Sequence, residues 1–301
     1  MSWQMRAVGV LMRVTRRRVY ADADGGSTLL SRPKGDPAPP ASVTRGMQVV
    51  TRRVAGFPVT SLVPDGVVLD RGPVVVHLHG GAYVNEVVKQ HWQLAAELAR
   101  RLRCEVMVPL YGLAPDHGAR EALDLTTTLV GDLARQDRAV YLSGDSAGGG
   151  LALLTAQHTS AEGRAALRGL GLIAPWVDLT MSNPEIDAVE RRDPWLARAG
   201  LYEVARTWAD PWDVADPRVS PVVGDVEGLP PVDLWVGDRD ICLPDSRRLR
   251  DRLRAAGVDV HYVEEPGAIH VYPLLPVPEG RAARRVLVER AGAALGLVPG
   301  P

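Results

Sequence analysis

Short apolar runs rich in Val and Leu recur through the chain, separated by longer stretches whose apolar positions repeat with helical spacing. Pro73 to His79 (PVVVHLH) is a β-branched run of the kind buried on both faces of a parallel sheet. Helical periodicity follows from Val88 to Leu102, then a strand from Cys104 to Leu110 and a helix from Arg120 to Leu133. Ala139 to Ser143 reads as a strand and Leu151 to His158 as a helix. Leu170 to Ala174, Val232 to Val236 and Val258 to Val263 read as strands, with helices at Ser246 to Ala256 and Glu279 to Leu295. This alternation predicts β-α-β units and a mostly parallel sheet flanked by helices, an α/β fold.

Four stretches depart from that rhythm. Met47 to Val54 and Pro58 to Val63 are two short strands around Ala55, Gly56 and Phe57, an antiparallel pair at the sheet edge. Ser182 to Asp213 is polar and carries Trp195, Trp208 and Trp212, with a helical patch at Ala199 to Thr207 and no strand. Inserted between two sheet strands, it is expected to sit over the strand ends as a cap. At the start, Val8, Leu11, Met12 and Val14 suggest the apolar stripe of an amphipathic helix beside Arg13, Arg16 and Arg17, expected to lie on the protein as part of the cap, with attachment to a membrane surface as the alternative. Residues 21–45 are dense in Gly, Pro, Ser and Asp and read as a loop or linker. The domain division is therefore 1–45 for an N-terminal cap segment and linker, 46–182 and 216–301 for the α/β core, and 183–215 for a cap insertion.

Composition narrows the functional classes. A chain of 301 residues, 46% hydrophobic, is long enough for one large buried core. With 35 basic and 36 acidic residues, the formal charge of −1 gives no electrostatic case for nucleic acid or an anionic membrane as partner. No apolar run approaches the ~20 residues of a membrane span, so no stable membrane insertion is expected. The N-terminus lacks the apolar core and cleavage site of a signal peptide. Two cysteines, Cys104 and Cys242, make neither a disulfide framework nor a zinc cluster, which points to a reducing, cytoplasmic setting.

The candidate chemistry centres on Gly144-Asp145-Ser146-Ala147-Gly148, a G-x-S-x-G at a predicted strand-to-helix turn. Such a turn lifts the Ser146 hydroxyl clear of the sheet, and a Cβ at Gly144 or Gly148 would collide with neighbouring backbone. A serine hydroxyl is a poor nucleophile at neutral pH, so it needs a base within reach and a third group to orient that base. Three histidines follow Ser146. His158 lies inside the next helix and His261 inside a strand, whereas His270 sits in a loop just past a strand, where the base belongs. Candidate acids are Asp238, Asp240 and Asp245 in GDRDICLPD; Asp238 sits in the turn after the strand, and Asp245 has the position of a helix cap. The oxyanion formed in acyl transfer needs preorganised N–H donors. Ala147, the residue after the serine, offers one, and the glycine-containing loop His79-Gly80-Gly81-Ala82-Tyr83 lies after an early strand where the others are expected.

Taken together, HGGAY at 79–83, YGLAPDH at 111–117, GDSAGG at 144–149, GLPP at 228–231 leading into GDRD at 237–240, and PGAIH at 266–270 resemble the hormone-sensitive-lipase-like bacterial carboxylesterases of the α/β-hydrolase superfamily. The resemblance implies the α/β-hydrolase fold and a serine carboxylesterase acting on small, short-acyl esters through an acyl-enzyme. By position, it makes Ser146 the nucleophile, Asp240 the acid and His270 the base, with Gly80, Gly81 and Ala147 as oxyanion donors. It implies no cofactor and no metal, and it allows a homodimer. One departure is Ala82, where the family's HGGG has its third glycine. An amidase or deacetylase uses the same triad, and a non-catalytic ligand-binding protein uses the same scaffold; His270, whose loss would mark the latter, is present.

Overall fold

In a computed structural model, which describes residues 1–300, the alternating pattern becomes one eight-stranded sheet. The strands are β1 (Met47–Val54), β2 (Phe57–Pro64), β3 (Val74–Leu78), β4 (Glu105–Pro109), β5 (Val140–Asp145), β6 (Leu167–Ile173), β7 (Val232–Gly237) and β8 (Val260–Glu265). Their spatial order is β1-β2-β4-β3-β5-β6-β7-β8. β1 and β2 pair antiparallel, as do β2 and β4, and every other neighbour is parallel. The helices are α1 (Trp3–Thr15), α2 (Arg17–Tyr20), α3 (Ala23–Ser31), α4 (Lys89–Leu102), α5 (Ala119–Arg135), α6 (Ala147–His158), α7 (Ala161–Ala166), α8 (Ile186–Glu190), α9 (Ala199–Ala209), α10 (Leu243–Ala255) and α11 (Pro278–Leu295).

Side-chain alternation along the central strands builds a core on each face of the sheet. Val74, Val76 and Leu78 enter the core shared with α5 and α6, while Val75 enters the one shared with α4 and α11. Parallel pairing then decides what meets at the carboxyl edge. Leu78 is in register with Gly144, which sets the loop after β3 beside the turn after β5. Gly237 is in register with Glu265, which sets the loops after β7 and β8 side by side.

Two N-terminal expectations are corrected. The stretch expected to be a linker contains α3, started by the Asp22 carboxylate accepting from the Gly25 N–H at 3.0 Å. Its glycines do not mark a loop. A Cβ at Gly26 would stand 3.0 Å from the Gly200 carbonyl oxygen, so the glycine lets α3 lie close against α9. In α1, the inward face is Met5, Val8, Gly9 and Met12, whereas Leu11 and Val14 are exposed. The expected stripe merged residues from two opposite faces.

Candidate active site

Ser146 stands between β5 and α6 with φ 52° and ψ −122°, a left-handed backbone conformation that a non-glycine residue adopts only when its surroundings enforce it. They do so by bonding its peptide on both sides: its N–H donates to the Ile173 carbonyl at 2.8 Å, and its carbonyl accepts from Trp176 and Gly150 at 2.9 and 3.1 Å. The flanking glycines are sterically required. A Cβ on Gly144 would come within 2.2 Å of the Gly148 carbonyl oxygen, and one on Gly148 within 2.1 Å of the Leu78 carbonyl oxygen.

The loop after β8 brings His270 to this turn. Its Nε2 lies 2.9 Å from Ser146 Oγ, and its Nδ1 lies 2.9 Å from both Asp240 carboxylate oxygens. All three residues are buried, Asp240 completely. Burial disfavours the imidazolium, but the charge of Asp240, its hydrogen bond and the charge of Asp193 outweigh burial and raise the His270 pKa above its ordinary value. The other candidates go elsewhere. Asp238 accepts from the Gly267 N–H at 2.7 Å and so ties the two loops together. Asp245 is not a cap, because α10 begins earlier, at Leu243; its carboxylate accepts from Asn183 Nδ2 at 3.0 Å, and burial pushes it up to about 6. His158 bonds the Leu154 carbonyl within its own helix, and His261 lies on β8 with its ring edge-on to Trp235.

Gly80 departs from expectation. Its N–H donates to Asp145 Oδ1 at 3.0 Å, deep in a cluster that also contains His77 and His91. Burial opposes ionisation of Asp145, yet His91 and His77 hold its carboxyl well below the usual carboxylate range. With its amide engaged there, Gly80 anchors the loop. The next two residues turn through φ +127° at Gly81 and 54° at Ala82, and both line the cavity over Ser146. His79, stacked on Tyr111, is pushed down to about 3, by burial first and then by His91.

Asp193, in the insertion, carries no motif and was not foreseen. It is 1% exposed, and its Oδ1 accepts from the N–H groups of Trp195 and Leu196 at 2.7 and 3.0 Å. Its Oδ2 accepts from Ile241, the neighbour of Asp240, at 2.9 Å. Burial and then the charge of Asp240 push it up to about 6. This clamp joins the insertion to the Asp240 loop and holds the Trp195 ring edge-on to His270, with centroids 5.7 Å apart. Trp208 instead is fully buried and stacks on Tyr83 at 3.6 Å. Over Ser146 and His270 lies a cavity of about 320 Å³, walled by Met12, Tyr20 and Leu29 from the N-terminal helices and by Trp195 and Leu201 from the insertion. Among the described residues, Asp240, Cys242 and His270 are the one group of metal-binding residue types with ligand atoms within 4.8 Å of one another. Both His270 nitrogens are already engaged, so the group is a hydrogen-bonded chain and not a ligand set.

Residues 75–274 match the family described as having the alpha/beta hydrolase fold. The chain belongs to that family. It is an enzyme of the esterase/lipase type, similar to an esterase of Acinetobacter venetianus, with 33% identity over 63% of this chain and 64% of that one. It is also similar to an acetyl-hydrolase of Streptomyces hygroscopicus, with 30% identity over 76% of this chain and 77% of the relative. In fold it resembles the crystal structure of an esterase from the bacterial hormone-sensitive lipase family, with a TM-score of 0.79, 24% identity, and 98% of this chain and 99% of that chain covered. The resemblance carried by the HGGAY, GDSAGG and PGAIH motifs is thereby borne out.

Proposed function

We propose that the chain is a serine carboxylesterase acting on small esters with short acyl groups. The observation that carries this reading is the continuous chain from Asp240 through His270 to Ser146 Oγ, with each contact at 2.9 Å. Asp240 fixes the imidazole with its proton on Nδ1, which leaves the Nε2 lone pair facing the serine hydroxyl. His270 takes the Ser146 proton as the oxygen attacks the ester carbonyl. The imidazolium then returns that proton to the departing alcohol, and water repeats the sequence on the acyl-enzyme.

The developing oxyanion is held by the N–H groups of Gly81, Ala82 and Ala147. Gly80, expected as a donor, is replaced by Ala82 because its own amide is bonded to Asp145. The cavity of about 320 Å³ is near the lower end of ligand-pocket sizes, which supports short acyl groups over long ones. In this reading, residues 1–45 and 183–215 form the cap, supported by the cavity wall that both segments share.

The test is a panel of p-nitrophenyl esters from acetate to decanoate on the native enzyme and on Ser146→Ala. Hydrolysis is expected to peak at short acyl length and to vanish in the variant. Absence of hydrolysis by the native enzyme, or equal rates in the variant, would overturn the proposal.

A further inference from the structure

Five of the eleven large apolar side chains exposed among the described residues fall within the first fourteen: Met1, Trp3, Val10, Leu11 and Val14. On a helix of 3.6 residues per turn, Trp3, Ala7, Val10, Leu11 and Val14 share one stripe about 100° wide. It lies opposite Met5, Val8, Gly9 and Met12, which pack on the protein, with Met5 fully buried. The helix is fixed by its inner side. The Ser2 N–H and hydroxyl donate to the Glu279 carboxylate, the hydroxyl at 2.8 Å, and Gly9 packs beside Ile269 and Pro194. The outer stripe is therefore a rigid, presented surface.

Charge indicates what meets that surface. The first twenty residues hold Arg6, Arg13, Arg16, Arg17 and Arg18 and no Asp or Glu, while the whole chain carries a formal charge of −1. Arg6 and Arg13 flank the apolar stripe along one edge, and neither these two nor Arg18 has a salt-bridge partner among the described residues. Arg17 is occupied with the carbonyls of Asp193, Leu196 and Glu190. Trp3, an amphipathic ring suited to the headgroup level, sits at the start of the stripe. No helix among the described residues is long and apolar enough to cross a membrane, so the helix would lie along the surface.

We propose that α1 is a docking helix that holds the protein on an anionic lipid surface, with its apolar stripe among the acyl chains and Arg6, Arg13 and Arg18 at the phosphates. The same helix gives Met12, on its inner face, to the wall of the cavity over Ser146. This inference stands apart from the ester reaction and is read by binding alone.

The experiment is co-sedimentation of the full chain with vesicles of phosphatidylglycerol and phosphatidylcholine, against pure phosphatidylcholine, at low and high salt. Binding is expected to the anionic vesicles and to weaken with salt. The variant Trp3→Gln/Val10→Gln/Val14→Gln is expected to lose binding at least tenfold, and Arg6→Gln/Arg13→Gln/Arg18→Gln to lose about fivefold for each arginine removed. All six side chains lie on the exposed part of the N-terminal segment, so both variants are expected to melt with the native protein. Failure of the native chain to sediment with anionic vesicles, or equal binding to neutral ones, would overturn the proposal. It would also be overturned if the apolar variant turned a dimer into a monomer without any vesicle binding, which would make a second copy of the chain the occupant of the stripe.

Discussion

At the scale of single residues, the electrostatics of His270 depend on three buried carboxylates, Asp240, Asp193 and Asp145. Asp240 bonds the ring directly, and Asp193 adds its charge from the insertion while bonding the backbone next to Asp240. On the proposed mechanism base catalysis needs neutral imidazole, so activity is expected to fall as pH drops through the His270 pKa, which lies above the ordinary ~6.5. Asp193→Asn removes a negative charge that stabilises the imidazolium. The sign is therefore downward: the acid limb of kcat/KM is expected to move several tenths of a pH unit lower. Asparagine retains an oxygen for the Trp195 and Leu196 amides but presents a donor to Ile241, so a moderate loss of rate accompanies the shift. A pH–rate profile checks this, and an unmoved or raised acid limb would contradict it.

At the scale of elements, the insertion is bound to the core through aromatic stacking. The Trp208 ring of α9 lies nearly parallel to Tyr83, at 6° and 3.6 Å, and Tyr83 directly follows Ala82 in the loop beside Ser146. Trp208→Ala is expected to cost about 3–5 kcal/mol in a denaturant titration, as for other large buried aromatics, and to lower kcat through the loop. A loss below about 1 kcal/mol would show that the insertion does not depend on this stack. Most elements of the core were legible in the sequence, because parallel strands buried on both faces leave unbroken β-branched runs such as Val74 to Val76. α3 was not, because Gly25 and Gly26 imitate a loop when Gly25 in fact allows close approach to the Val19 carbonyl and Gly26 to α9. The meeting of Ser146, Asp240 and His270 follows from chain order and strand ends, which sequence motifs report. Which amides of HGGAY stay free is decided by the side chain of Asp145, and no motif reports that. Asp193 is invisible for the same reason: its importance comes from three backbone N–H groups brought to it by folding.

At the scale of the whole molecule, the N-terminal segment and the insertion meet over the carboxyl edge of the sheet and close one cavity between them. The net charge of −1 conceals a strongly basic first twenty residues, so the whole-chain average carries no sign of the anionic surface proposed for α1. The cavity wall offers a direct check of the proposal that the N-terminal segment limits acyl length. Met12→Ala shortens a side chain that lines the cavity from α1. The ratio of kcat/KM for octanoate to that for butyrate esters is expected to rise severalfold. An unchanged ratio would place the acyl group away from α1.

The central claim is that Ser146 accepts the acyl group through His270 and Asp240. Its most direct measurement is rapid mixing of the enzyme with p-nitrophenyl butyrate, followed by acid quench and mass analysis of the proteolytic peptides. A butyryl group is expected on the peptide that carries Ser146, formed within the first turnover and absent in Ser146→Ala. Butyryl on a different residue, or ester turnover by Ser146→Ala at the native rate, would contradict the account.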